Sequence, residues 1–237
     1  MFRACSAVLA EVDRTISAIL EDLAGRMSNV QHLLDIGCWD GTATGRYASI
    51  LKCKAHGVEI FPGPAASAAE KEIDVSRLDL EATPFPWASG SMDIVIANQV
   101  FEHLKNIWLP MSEASRVLRL GGYLVISTPN LGSFHNRLLL SVGFQPTSIR
   151  TFGPHVRGFT LRDLVRLVQL GGGFAVERVV GVGFYPLPVR VAAPLARLWP
   201  NGSHTAVILA RKQRETPDSP WLSYLHGQEA VGLQTRY

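Results

Sequence analysis

The residues with the most chemical potential stand at 33–45, LLDIGCWDGTATG. A short apolar run ends in an acid, Asp35, and the chain then turns through Gly37 and Gly41 into a segment of helical character. Glycines admit backbone conformations closed to other residues and let a ligand approach the main chain. The helix that follows offers free N–H groups to a polar or anionic partner. Further on, AHGVEI at 55–60 puts Glu59 at the tip of the next strand. It lies about 20 residues past the turn, the offset at which an acid grips the hydroxyl pair of a ribose. A nucleoside ligand is the chemistry this pair implies. A dinucleotide fingerprint needs three glycines in G-x-G-x-x-G, whereas the register from Gly37 reads Gly37, Trp39, Thr42 and fails twice. An acid just before the first glycine suits a nucleoside that carries a cationic amino-acid end.

These residues need a scaffold that brings strand ends together. Short apolar runs at 33–36, 55–60, 73–78, 94–97 and 123–127 alternate with helical patterns at 42–51, 65–70 and 106–120. The run at 94–97 is apolar at every position, as a strand buried on both faces requires. Gly121 and Gly122 read as the stop of the 106–120 helix. Such alternation implies a doubly wound, Rossmann-like parallel sheet, which binds ligands beyond the carboxyl ends of its strands where the strand order reverses. A helix at 6–27 precedes it. After Pro129 come a helix at 131–142, a loop at 143–158, an amphipathic helix at 160–170 and strands at 174–182 and 205–210, the last two joined by a Pro-rich excursion. Residues 213–237 lack a strong pattern and read as a mobile tail or a loosely docked arm.

Composition narrows the class. Of 237 residues, 47% are hydrophobic and 18% charged, so a folded core is expected. A net charge of +3 and the lack of a dense basic run argue against a nucleic-acid partner. Cys5, Cys38 and Cys53 form no C-x-x-C pair, which argues against a disulfide framework and a cysteine zinc site and favours a reducing cytoplasm. Acids by position 13 make the start a poor signal peptide, and prolines and arginines interrupt 179–200, the nearest approach to a spanning segment. Histidines and acids are not grouped at metal-ligand spacing, so no metal is expected.

With these motifs in order, the chain resembles the class I S-adenosylmethionine (SAM)-dependent methyltransferases. The similarity is to the small methyltransferase domains with an EH–L segment after strand four, and it runs over residues 30–130. The resemblance implies a seven-stranded sheet, mostly parallel with an antiparallel last strand. It implies SAM as cofactor and S-adenosylhomocysteine as product. On that reading Asp35 meets the methionine end, Gly37, Cys38, Trp39 and Gly41 form the loop, and Glu59 holds the ribose beside Ile60. Asp79 and Leu80, in LDLEATPFPW, match the adenine contacts, and Asn98 and Gln99 lie at the end of strand four under the sulfur. RVLRLGGYLVISTPN at 116–130 is similar to the family's helix and fifth strand. Trp39 departs from the pattern, which has a second glycine there. Asp93, at the start of a strand, reads as structural, and Cys38 as a buried spacer.

Methyl transfer asks the protein chiefly to align donor and acceptor and exclude water. A hydroxyl acceptor is helped by a base, and His103 in FEHL is the first candidate. Phe134, His135 and His155 lie in the segment expected to face the acceptor. The expected organisation is an N-terminal helical cap at 1–29 and a methyltransferase domain at 30–212. Acceptor-side insertions fall at 131–160 and 183–204, and a C-terminal tail at 213–237. The acceptor is expected to be a small molecule, methylated at oxygen, with no nucleic acid, no membrane-spanning segment, and a homodimer or protein partner left open. A second reading stays open beside it. STPNLGSFHNRLLL at 127–140 resembles the MetW proteins, which implies a non-catalytic partner of an acyltransferase. A nicotinamide-dependent oxidoreductase is a weak third, given the failed glycine spacing.

Overall fold

The strands alternate side chains cleanly between two apolar layers. In a computed structural model, which describes residues 2–216 and 218–225, seven strands form one sheet in the order β3-β2-β1-β4-β5-β7-β6. They are β1 His32–Ile36, β2 Lys54–Val58, β3 Asp74–Ser76, β4 Met92–Asn98, β5 Leu118–Pro129, β6 Phe174–Val182 and β7 Thr205–Lys212. β7 runs antiparallel to both its neighbours and the remaining pairs are parallel. Leu33, Ile94, Ile96, Tyr123, Val125, Val207 and Leu209 pack on one face, and Leu34, Ile36, Val95, Ala97, Leu124, Ile126 and Ile208 on the other. This period of two, with both faces covered, is why the strands read as continuous apolar runs.

The first face is covered by α1 (Phe2–Arg26) and α2 (Thr42–Leu51). Val12, Ile16, Ile19, Leu20 and Leu23 of α1 are buried at helical spacing, each contributing roughly 1.5–3 kcal/mol by leaving water. Tyr47 of α2 donates to Asp13 Oδ1 at 2.7 Å and ties the two helices. A short α3 (Pro62–Ala69) follows β2. The second face is covered by α4 (Trp108–Val117) and α6 (Leu161–Gln169), on either side in sequence of α5 (Phe134–Ser141). Thr160 caps α6 by accepting from the Asp163 N–H, a bond that satisfies one of the free donors of the first turn. Among the described residues no helix is long and apolar enough to cross a membrane.

Two expectations need correction, and a third is decided between its alternatives. Gly121 and Gly122 do not stop a helix. α4 ends at Val117, and both glycines lie inside β5. A Cβ on Gly122 would come within 2.7 Å of the Asp93 carbonyl oxygen, so β4 and β5 approach too closely there for a side chain. The Pro-rich excursion contains a helix, α7 (Val189–Leu198), because Pro188 at the N-cap starts it and Ala192 and Ala196 give it a small, buried face. The stretch after β7 is docked rather than mobile as far as it is described. In α8 (Pro220–Leu225) Trp221 is fully buried and donates to Leu167 O at 2.8 Å. Tyr224 stacks on Trp108 at 4.7 Å. The buried Lys212 ammonium donates to the Ser115 and Leu118 carbonyls and to Glu215. Residues 226–237 of the expected tail lie outside the described residues.

Candidate active site

The strand order reverses between β1 and β4, and the crevice beyond their carboxyl ends receives the glycine loop. Gly37 N and Cys38 N both donate to Val58 O, at 2.8 and 3.1 Å, which folds the loop over the end of β2. Gly37 has φ 73° and Gly41 φ 75°, both left-handed. A Cβ on Gly41 would lie 2.9 Å from the Ala68 Cα, and one on Gly37 2.7 Å from Val100 Cγ2. Neither position admits another residue without movement.

Trp39 takes φ 48° at the position where the family pattern has glycine. A bulky residue in that region carries strain of about 1–3 kcal/mol. Its ring does not enter the crevice floor; it is 58% exposed and meets Phe61 edge-on at 6.0 Å. With Ile60, also exposed, it makes an apolar rim at the ends of β1 and β2.

Glu59 is 6% exposed, and its carboxylate organises this rim. Oε2 accepts from Trp39 N at 3.1 Å and Oε1 from Phe61 N at 2.9 Å. Each carboxylate oxygen has lone pairs for more than one donor, so the pinned group can still take hydroxyl protons. Asp35 is buried on the α1–α2 face of the sheet and accepts from Thr44 Oγ1 at 2.5 Å. Burial pushes its carboxyl up to about 7, the Thr44 hydrogen bond working the other way. A buried acid in that range gains from a cationic partner. Cys38 packs against Gly57, where a Cβ would come within 2.5 Å of its Sγ. Burial, then the charges of Asp35 and Glu59, push its thiol up to about 12, which leaves it a spacer and no nucleophile at neutral pH.

At the end of β4, Ser127 of β5 donates to Asn98 Oδ1 at 2.6 Å and accepts from Gln99 Nε2 at 3.1 Å. Gln99 has φ 58°. Of the four non-glycine residues with positive φ among the described residues, Trp39 and Gln99 therefore fall at this crevice. Asp79 is exposed and accepts from Glu81 N at 2.8 Å, while Leu80 is half-buried against the core. Asp93 accepts from Gln31 N, His32 N and Arg119 Nε, a purely structural set.

The turn after β4, Phe101–His103, carries Glu102 and His103. Val156 N and Arg157 N both donate to the Glu102 carbonyl, at 2.9 and 3.1 Å, and so fasten the 150s loop to this turn. His155 thereby meets His103, ring to ring, at 4.8 Å. Burial, with His155 beside it, holds the His103 imidazole below the usual histidine range, so it is neutral at pH 7. Sequence spacing showed no clustering of ligand-type groups. The structure brings one ligand atom each of Glu102, His103 and His155 within 4.8 Å of one another, from turns far apart in sequence.

His135 is elsewhere and engaged. Its ring nitrogens meet Ser133 Oγ at 3.1 Å and Thr147 Oγ1 at 2.7 Å, and the ring stacks on His204. It orders its loop. Phe134 is partly exposed and packs with Phe184 and Trp199, at 5.9 and 6.0 Å. Thr44, Ser127, Val100, Phe61 and Glu102 are contributors that sequence reasoning passed over. Only Glu102, an acid in the EH dipeptide, had a signal in sequence.

Residues 34–126 match the family described as "Methyltransferase domain". A Mycolicibacterium smegmatis protein named "Probable S-adenosylmethionine-dependent methyltransferase" is 30% identical over 211 residues, 88% of this chain and 73% of that one. The malonyl-[acyl-carrier protein] O-methyltransferase of Hahella chejuensis is 30% identical over 126 residues, 51% of this chain and 44% of its own. The crystal structure of a SAM-dependent methyltransferase from Archaeoglobus fulgidus superposes with a TM-score of 0.60 at 18% identity, covering 84% of this chain and 94% of that one.

Proposed function

The chain belongs to the SAM-dependent methyltransferases, and from that premise we propose that it methylates a hydroxyl oxygen of a small molecule held on the β4–β5 side of the crevice. SAM supplies a methyl group already activated on a sulfonium and leaves as S-adenosylhomocysteine. The residues fit that donor. Asp35, buried and short of a cationic partner, would hold the ammonium of the methionine end. Glu59, pinned by two main-chain donors, would take the ribose hydroxyls. Ile60 and Leu80 would flank the adenine and Asp79 accept from its amine, while the loop glycines let the main chain close in.

The observation that carries the donor reading is the Glu59 carboxylate, held open at the strand tip by Trp39 N and Phe61 N. For the acceptor, the support is a neutral His103 in the turn that follows β4, together with the aromatic group of Phe134, Phe184 and Trp199. His103 Nδ1 lies 3.3 Å from Pro154 O, which makes Nδ1 the protonated nitrogen and leaves Nε2 basic. A neutral imidazole can take up the hydroxyl proton as the oxygen attacks. The relative named for O-methyl transfer, over its matched part, favours oxygen. The alternative of a non-catalytic acyltransferase partner rests on residues 127–140. There Asn130 Nδ2 donates to Asn201 O and Ser203 O and Asn136 Nδ2 to Ser148 Oγ, bonds that order the stretch and do not favour that alternative.

The test is a transfer assay with methyl-labelled SAM against matched small alcohols, phenols, carboxylates, amines and thiols. Transfer to oxygen acceptors, lowered more than tenfold in kcat by His103→Ala with SAM affinity kept, is expected. Transfer confined to amines or nucleic acid would overturn the acceptor reading. Copurification with an acyltransferase and no turnover would restore the alternative.

A further inference from the structure

We propose that Glu102, His103 and His155 bind one first-row divalent cation of the zinc type. The three side chains each bring one ligand atom to a group no wider than 4.8 Å. Two imidazoles and one carboxylate are a set that such cations accept, with positions left open for water or an acceptor oxygen.

Glu102 is the reason to look for an occupant. It is 2% exposed, and neither carboxylate oxygen has a hydrogen-bond partner among the described residues. Buried polar groups almost always have partners, and a buried carboxylate without one is costly. A cation would supply the missing partner.

The histidines are set up for the same purpose. His155 Nδ1 lies 2.7 Å from Ser148 O and His103 Nδ1 3.3 Å from Pro154 O. A carbonyl accepts only, so each ring carries its proton on Nδ1 and keeps a lone pair on Nε2. Metal-binding histidines commonly donate their second nitrogen in this way, which fixes ring orientation. The Glu102 carbonyl, by accepting from Val156 N and Arg157 N, holds the two chain segments in register, so the group is built before a cation arrives. The inference draws on the acceptor reading for its chemistry and not for binding, and it changes the role of His103. With the cation in place, His103 Nε2 is a ligand and not the base, and an acceptor hydroxyl bound at an open position would release its proton to solvent, its acidity raised by the cation.

The experiment uses the full chain, freed of metal by chelator and titrated with Zn²⁺ alone by calorimetry, and with Co²⁺ alone by visible absorption. One cation per chain is expected, with Co²⁺ bands of an ordered site. His155→Ala and Glu102→Gln should each weaken binding by about 100-fold or more, beyond the roughly 10–100-fold lost with residues that only orient the ligands. His32→Ala should leave it unchanged, which separates this site from the His32–His56 pair, whose ring nitrogens lie 3.1 Å apart. Circular dichroism and a SAM titration on each variant show that fold and donor site survive. His155→Ala carries the test if Glu102→Gln does not fold. Absence of stoichiometric binding, or binding equal in wild type and His155→Ala, overturns the proposal. SAM binding in the same samples keeps a failed cation site distinct from a failed methyltransferase reading.

Discussion

The two sides of the crevice are built differently. On the side proposed to hold the donor, each residue is placed by its immediate neighbours. Asp35 and Glu59 end adjacent strands, and the loop between β1 and α2 is fixed by Gly37, Gly41 and main-chain donors on Val58 and Glu59. On the side proposed for the acceptor, placement is by distant segments. Val156 N and Arg157 N donate to the Glu102 carbonyl and bring His155 to His103, and Phe134 meets Phe184 and Trp199. One side is built locally; the other is assembled by the tertiary fold. The donor is common to the whole family, whereas the acceptor surface is where relatives can diverge without disturbing the first.

If that contrast holds, the largest effect comes from crowding the donor loop. Gly41→Ala puts a methyl group against the Ala68 main chain at a left-handed φ. It should destabilise the protein by about 3 kcal/mol in urea unfolding. Gly143, also left-handed but with open space around it, should lose less for the same change. The next effect is in pH. The ligand-free native state keeps the Asp35 proton between the ordinary value of 3.8 and about 7. Its contribution to stability is therefore full below 3.8 and is lost as pH rises through 7. An ammonium ligand reverses the preference. SAM affinity should rise about eightfold from pH 6 to 7.5 in wild type and stay level in Asp35→Asn, read by calorimetry.

On the acceptor side, Phe134→Ala removes an aromatic pair of about 1 kcal/mol. It should raise the acceptor KM several-fold while SAM affinity stays within about twofold, since its ring partners are Phe184 and Trp199 and not the glycine loop. Equal losses in both would break the contrast. The smallest effect is expected at Trp39. Trp39→Gly relieves left-handed strain of about 1 kcal/mol and gives up an exposed edge contact with Phe61, so the two changes nearly cancel in thermal melts.

The same contrast explains what could be read from the sequence. The strands at 33–36 and 94–97 were legible because burial on both faces leaves little but apolar residues, and the edge strand at 174–182 because apolar residues flank its exposed Glu177 and Arg178. Asp35, the loop glycines and Glu59 were legible because strand, turn and helix are contiguous. The double glycine at 121–122 was misread because a close approach of two strands and a helix stop leave the same local mark. The helix at Val189–Leu198 was hidden by its prolines, one of which starts it. Trp221 and Lys212 dock the end of the chain through carbonyls of Leu167, Ser115 and Leu118, contacts that no local pattern announces. The meeting of His155 with Glu102 and His103 is of the same kind.

The most direct test of the donor site is calorimetric titration of the purified chain with SAM and S-adenosylhomocysteine, beside Glu59→Ala. The variant loses the carboxylate proposed to accept from the ribose and the pins on Trp39 N and Phe61 N together. Micromolar binding of both ligands to wild type, weakened at least about 100-fold in a folded Glu59→Ala, is the predicted result, as two charged hydrogen bonds of roughly 1.5–3 kcal/mol each would allow. Equal binding by the two proteins would place the donor elsewhere and contradict the site described above.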